Sequence, residues 1–163
     1  MIPAKLKMKT KLVGLICLVI LTFSCQNNDV FLKYKTIPLQ GWSKDSVYTF
    51  EVPITDVSTA YNVFINVRNR GEYPHQNLWL FVQKTSPDSI VSKDTINFYL
   101  ADQRGKWLGS GVGSVFEMPV IYQRNFHFPK AGKYSFGIVQ GMRDTLLIGI
   151  NDIGIRIEKV NSK

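Results

Sequence analysis

Cysteine is nearly missing from this 163-residue chain, which has two, Cys17 and Cys25. Cys17 lies inside an uncharged apolar run and Cys25 ends it, so a chain processed to begin at Cys25 has no second thiol. That excludes a disulfide, a redox couple and a Cys-based metal site. Histidine is equally scarce: there are two, His75 and His127, and no H-E-x-x-H, H-x-x-E-H or H-x-H spacing occurs. Without such spacing a histidine-rich metal site has no support. Both read as surface residues, His75 in a turn after Pro74 and His127 on a strand, pointing away from Phe126 and Phe128. No cofactor is expected.

Long hydrophobic runs are missing too. The one candidate, Leu12 to Phe23, has twelve residues without charge, whereas a helix needs roughly 20 to span a bilayer. Its length and the alternating lysines before it fit the apolar centre of a signal peptide, for which Met8-Lys9-Thr10-Lys11 makes a better start than Met1-Ile2-Pro3. Ser24 then Cys25 is the small-residue-cysteine junction of a bacterial lipobox, with Thr22 where Leu, Ile or Val is usual. There the thiol receives a diacylglycerol and, after cleavage, the new N-terminus an acyl chain. More than one chain holds a protein on a membrane far more firmly than a single myristoyl group. The expected organisation is a signal peptide over 1–24, a lipidated N-terminus and polar tether over 25–29, and one folded domain over 30–160. The tether is not acidic, which favours outer-membrane attachment facing the periplasm.

Clustered charge is the next absence. The formal net charge is +8, but Lys5, Lys7, Lys9 and Lys11 all precede the apolar run. Removing those four of 20 basic residues leaves 16 against 12 acidic ones and a net charge of +4. The rest are scattered, which excludes a nucleic-acid-binding surface.

Catalytic constellations are absent as well. The stretch "GKWLGSGVGS" at 105–114 resembles a phosphate loop only in its glycines: Trp107 follows Lys106 where Ser or Thr is needed, and no helical pattern comes after. Neither Ser110 nor Ser114 sits in a G-x-S-x-G elbow, so the segment reads as a loop between strands. Asp45, Asp102, Asp144 and Asp152 lie near loops, and spacing brings no two of them together. The expectation is a protein without catalytic activity.

What is present is a period of two. Tyr61, Val63, Ile65 and Val67 alternate with Asn62, Phe64, Asn66 and Arg68; 134–140 and 153–158 behave likewise, each a half-buried strand. "LWLFV" at 78–82 is apolar on both faces, as in a central strand or one with a covered outer face. Further strands are expected over 30–37, 46–53, 94–100 and 120–128, separated by turn-forming clusters. About eight short strands at this spacing predict an all-β antiparallel β-sandwich, with a jelly roll among its forms. Aromatic residues supply the candidate contacts. Trp42, Trp79 and Trp107, with Tyr73, Tyr99 and Tyr122, could stack on sugars if exposed, making a glycan- or peptidoglycan-binding module the alternative to a protein-docking surface; core packing is the plainer role.

Several motifs in order carry a resemblance: "YKTIP" at 34–38 with Gly41-Trp42, "YNVFINVRN" at 61–69, "YPHQNLWL" at 73–80, "ADQRGKWLGSGVG" at 101–113, "FPKAGKYSFGIVQGMR" at 128–143 and "GINDIGIRIEK" at 149–159. Together they resemble the gliding motility-associated lipoprotein family GldH of Bacteroidetes. The resemblance implies a membrane-anchored envelope lipoprotein, needed for gliding in members that glide and linked to the type IX secretion system. It implies a non-enzymatic accessory whose partners are other envelope proteins or lipoproteins. Only Cys25, at the lipidation position, carries over as a site residue.

Overall fold

The structure is a computed structural model that describes residues 28–160. The signal-peptide assignment over 1–24 and the lipidation position at Cys25 lie outside the described residues. Eleven strands run in chain order: β1 (Asp29–Thr36), β2 (Trp42–Ser43), β3 (Tyr48–Ile54), β4 (Tyr61–Arg70), β5 (Asn77–Thr85), β6 (Val91–Tyr99), β7 (Ser110–Val112), β8 (Val115–Phe126), β9 (Gly132–Gln140), β10 (Leu146–Leu147) and β11 (Ile150–Lys159). Asp29, expected in the tether, opens β1, with its carboxylate 3.4 Å from Arg156.

The strands form a five-stranded sheet, β1-β11-β4-β8-β7, a four-stranded sheet, β3-β9-β5-β6, and a small β10-β2 pair. All pairings are antiparallel. Setting aside the short β2, β7 and β10, the first, third, sixth and eighth long strands share one sheet and the other four share the second. Read across the sheets this is the order 1-8-3-6 against 2-7-4-5, a double-sheet jelly roll. Every predicted strand is found. The glycine-rich segment is only partly a loop, since Ser110–Val112 pairs with the start of β8 as a hairpin.

Alternation along the strands makes the core. Val63, Ile65 and Val67 on β4 and Ile153, Ile155 and Ile157 on β11 face inward from one sheet; Phe50 and Val52 on β3, Leu78 and Leu80 on β5, and Phe136 and Ile138 on β9 face inward from the other. All are buried, and interdigitation of two such faces is the main favourable contribution to the fold.

Strand directions define two ends. At one end β1 begins and β11 finishes, beside the β3–β4, β5–β6 and β8–β9 loops. The opposite end holds the segment after β1, the β4–β5 and β6–β7 loops and the segment between β9 and β11.

A candidate binding face on the four-stranded sheet

Because side chains alternate along β5, Leu78, Leu80 and Val82 go to the core while Asn77, Trp79, Phe81 and Gln83 go to the outer face. The doubly apolar "LWLFV" is a central strand, as its composition suggests, but its outer side is only partly covered: Trp79 is 41% and Phe81 50% exposed. Across the ladders, Trp79 faces Asn97, Phe81 faces Thr95 and Val139, and Gln83 faces Lys93 and Gly137.

Two adjoining depressions follow β5 on this face and share Phe81 and Thr95, so they form one groove. One, of about 500 Å³, is lined by Val47, Gln83, Lys93 and Val139 among others. The other, of about 580 Å³, is lined by His75, Asn77, Trp79, Met142, Arg143 and Asp144. Gly141 forms the floor between the two rings: a Cβ there would lie 3.2 Å from both Trp79 and Phe81. Its amide donates to the Trp79 carbonyl at 2.7 Å, which seats β5 against the loop after β9.

At its far end the groove is polar. His75 Nε2 lies 2.8 Å from Asp144 Oδ2, and both side chains are about one-third exposed. Buried Gln140 fixes this loop, donating to the Asp144 carbonyl at 2.7 Å and accepting from the Met142 amide at 2.7 Å. On the other side of the Trp79–Asn97 pair, Asn77 Nδ2 donates to Asn97 Oδ1 at 2.9 Å. His75 is thus more than a solvated turn residue, because the fold brings it to a carboxylate 69 positions away. A histidine–carboxylate pair becomes nucleophilic machinery only with a third group whose proton it takes. Among the described residues no hydroxyl or thiol is hydrogen-bonded to His75.

The three tryptophans part company. Trp42 is fully buried, edge-on to Tyr48 at 5.2 Å, its indole N–H donating to the Ser46 carbonyl at 3.1 Å. This corrects its assignment as a contact residue: the ring is core. Trp107 is half-buried at the far end, between Tyr73 at 6.4 Å and Phe116 at 5.9 Å. Only Trp79 presents its ring to the groove, and Phe81, which was not singled out from sequence, stands beside it. Of the tyrosines, Tyr73 is buried, Tyr99 is exposed on the edge strand, and Tyr122 hydrogen-bonds Asp94, with burial and then that bond raising its pKa. The four aspartates have separate surroundings: the Asp45 amide donates to Ser43 Oγ, Asp102 caps its own turn, Asp144 meets His75, and Asp152 accepts from Thr36 and Asn151.

The outer face of the five-stranded sheet is closed by polar bonds instead. Tyr34 on β1 donates to Glu117 on β8 at 2.6 Å, Arg68 on β4 donates to the same carboxylate at 2.7 Å, and its guanidinium lies 3.8 Å from the centre of the Tyr34 ring. Buried Asn66 donates to the Tyr34 oxygen at 2.7 Å. Burial pushes the Glu117 carboxyl upward, but the bonds from Tyr34 and Arg68 outweigh it and leave its pKa below the ordinary value.

The model of the GldH lipoprotein family matches residues 29–157, from the first residue of β1 to within β11. The chain belongs to the GldH lipoprotein family. It is 36% identical over 160 residues to the gliding motility lipoprotein GldH of Flavobacterium johnsoniae, covering 93% of this chain and 99% of that protein. It is 37% identical over 148 residues to a gliding motility lipoprotein GldH homolog of Christiangramia forsetii, covering 86% and 90%. As a GldH lipoprotein it is a lipid-anchored protein of the cell envelope, and the matched region coincides with the jelly roll.

Proposed function

We propose that this GldH lipoprotein is held by lipid on Cys25 in the outer membrane, facing the periplasm, and docks another envelope protein on the outer face of its four-stranded sheet. Its role is then non-enzymatic: to help assemble or stabilise the gliding and type IX secretion machinery. The observation that carries this reading is the pair of exposed rings, Trp79 and Phe81, set in a groove on a central strand. A contiguous exposed apolar patch marks an interaction site, and aromatic residues are enriched among those that dominate interface energy.

The decisive variant is Trp79→Ala with Phe81→Ala, compared with wild type by crosslinking in whole cells and recovery of the bound envelope proteins. The crosslinked species disappears while the purified variant keeps its unfolding temperature within a few degrees, because both side chains already contact water. An unchanged crosslinking pattern would remove the docking reading. A glycan reading has its own support, since Trp79 stands beside the Asn77–Asn97 amides and the His75–Asp144 pair, and sugars need a ring face and convergent polar groups. Co-sedimentation with purified peptidoglycan, abolished by Trp79→Ala, would replace protein docking with glycan binding.

A further inference from the structure

We infer that the end of the sandwich where β1 begins rests on the bilayer surface, with Val57 and Ile90 entering the lipid interface. The inference rests on the reading of Cys25 as the lipidated residue. Four residue steps separate Cys25 from Asp29 at the start of β1, a reach of at most about 14 Å even when fully extended. β4, with ten residues, makes the sandwich roughly 33 Å long along its strands. The opposite end therefore cannot face the membrane while the acyl chains are inserted. That end exposes Leu39, Leu146 and Ile148, so apolar exposure alone does not choose between the two ends. The tether does.

The loops at the anchored end are built to meet lipid. In the β3–β4 loop the Asp56 carboxylate accepts from the Ser58 amide at 3.0 Å and from the Ser58 and Thr59 hydroxyls at 2.7 Å each. With its polar groups satisfied inside the loop, the next side chain, Val57, is left 39% exposed. The β5–β6 loop closes on itself in the same way: Ser86 N donates to the Ile90 carbonyl at 2.9 Å, and the Ile90 amide donates to Ser86 Oγ at 3.0 Å. Ile90 is then 67% exposed at the base of the loop, just before β6. Polar groups paired within a loop cost little to bring to an interface, whereas unpaired ones would cost several times more.

Three lysines at this end are paired with carboxylates. Lys130 pairs with Asp88 at 2.6 Å, Lys159 with Asp56 at 3.0 Å and Lys133 with Glu51 at 3.4 Å. Contact with the bilayer is therefore apolar in origin and does not require anionic headgroups. Lying flat on a sheet is the competing arrangement. On the five-stranded sheet it would press the half-buried Arg68–Glu117 and Arg156–Glu158 pairs against lipid, which desolvation opposes.

The scarcity of cysteine makes the test clean, because the lipidated chain offers no free thiol. Val57→Cys, Ile90→Cys, Leu32→Cys and Leu146→Cys are each purified as full lipoproteins, labelled with an environment-sensitive fluorophore and reconstituted in phosphatidylcholine vesicles containing a doxyl-lipid quencher. Probes at 57 and 90 are quenched at least about twofold more than those at 32 and 146, equally with and without anionic lipid. Stronger quenching at 32 or 146, or a requirement for anionic lipid, overturns the inference. Mass spectrometry of the same preparations separates the two readings. Absence of acyl chains on Cys25 overturns the anchor and the orientation together, whereas an acylated protein with unquenched probes at 57 and 90 overturns the orientation alone.

Discussion

Trp42 and Trp79 are the same residue with opposite duties, and the difference is set by partners distant in sequence. Trp42 follows a turn-forming cluster, where an aromatic ring is often exposed, but the fold pairs it with Leu147 and seals it from water. Trp79 sits in an apolar strand that reads as core, yet strand alternation sends it to the open face. No local signal separates these cases, because the Trp42 pocket, begun by Ser46 and Tyr48, is closed by a strand more than a hundred positions away. His75 reads from sequence as a solvated turn residue for the same reason, its carboxylate partner lying far along the chain. The contrast is measurable. Trp42→Ala removes a fully buried ring and lowers stability by about 3–5 kcal/mol, read from denaturant midpoints with unchanged slope. A loss of less than about 1 kcal/mol would mean that the end around β2 and β10 contributes little to the cooperative core.

Among the elements, the long strands were legible because a period of two persists over seven or more residues when one face is buried. β2, β7 and β10 were not, since two or three residues cannot establish a period. Also invisible was the network that ties β1, β4 and β8 across the outer face of the five-stranded sheet. Tyr34, Asn66, Arg68 and Glu117 look like ordinary outward residues until the register aligns them. The network gives that sheet a pH dependence. The Glu117 pKa is lowered from 4.5 in the fold, so the folded state favours the carboxylate. Its contribution is present in full above the unfolded value and is lost as pH falls through the lower folded one. Thermal unfolding of Glu117→Gln should therefore lose less between pH 5 and the acid limit than wild type does. Parallel acid profiles for the two proteins would show that Arg68 and Tyr34 do not favour the ionised carboxyl.

At the scale of the whole molecule, the sandwich class followed from strand number and spacing, while the jelly-roll order depended on pairings that no sequence window contains. That order separates three features in space: the start of β1 at one end, a sheet face closed by polar bonds, and a second face with two open rings and a groove running along the strands away from that end. Location and docking should accordingly be separable by mutation. Cys25 precedes β1 in the chain and carries only the lipid in the proposed reading, so Cys25→Ala leaves the unfolding midpoint of the domain unchanged while shifting the protein from the membrane to the soluble fraction. Phe81→Asp does the reverse. A carboxylate at an open position costs the fold little, because water still solvates it, but bringing that charge into an apolar interface without a partner costs several kcal/mol. The Phe81→Asp protein thus remains in the membrane fraction and loses its envelope crosslinks. If Cys25→Ala alone abolished crosslinking of a domain that still meets its partners in solution, the anchor would be more than an address; if Phe81→Asp left the crosslinks intact, the groove would not be the docking site.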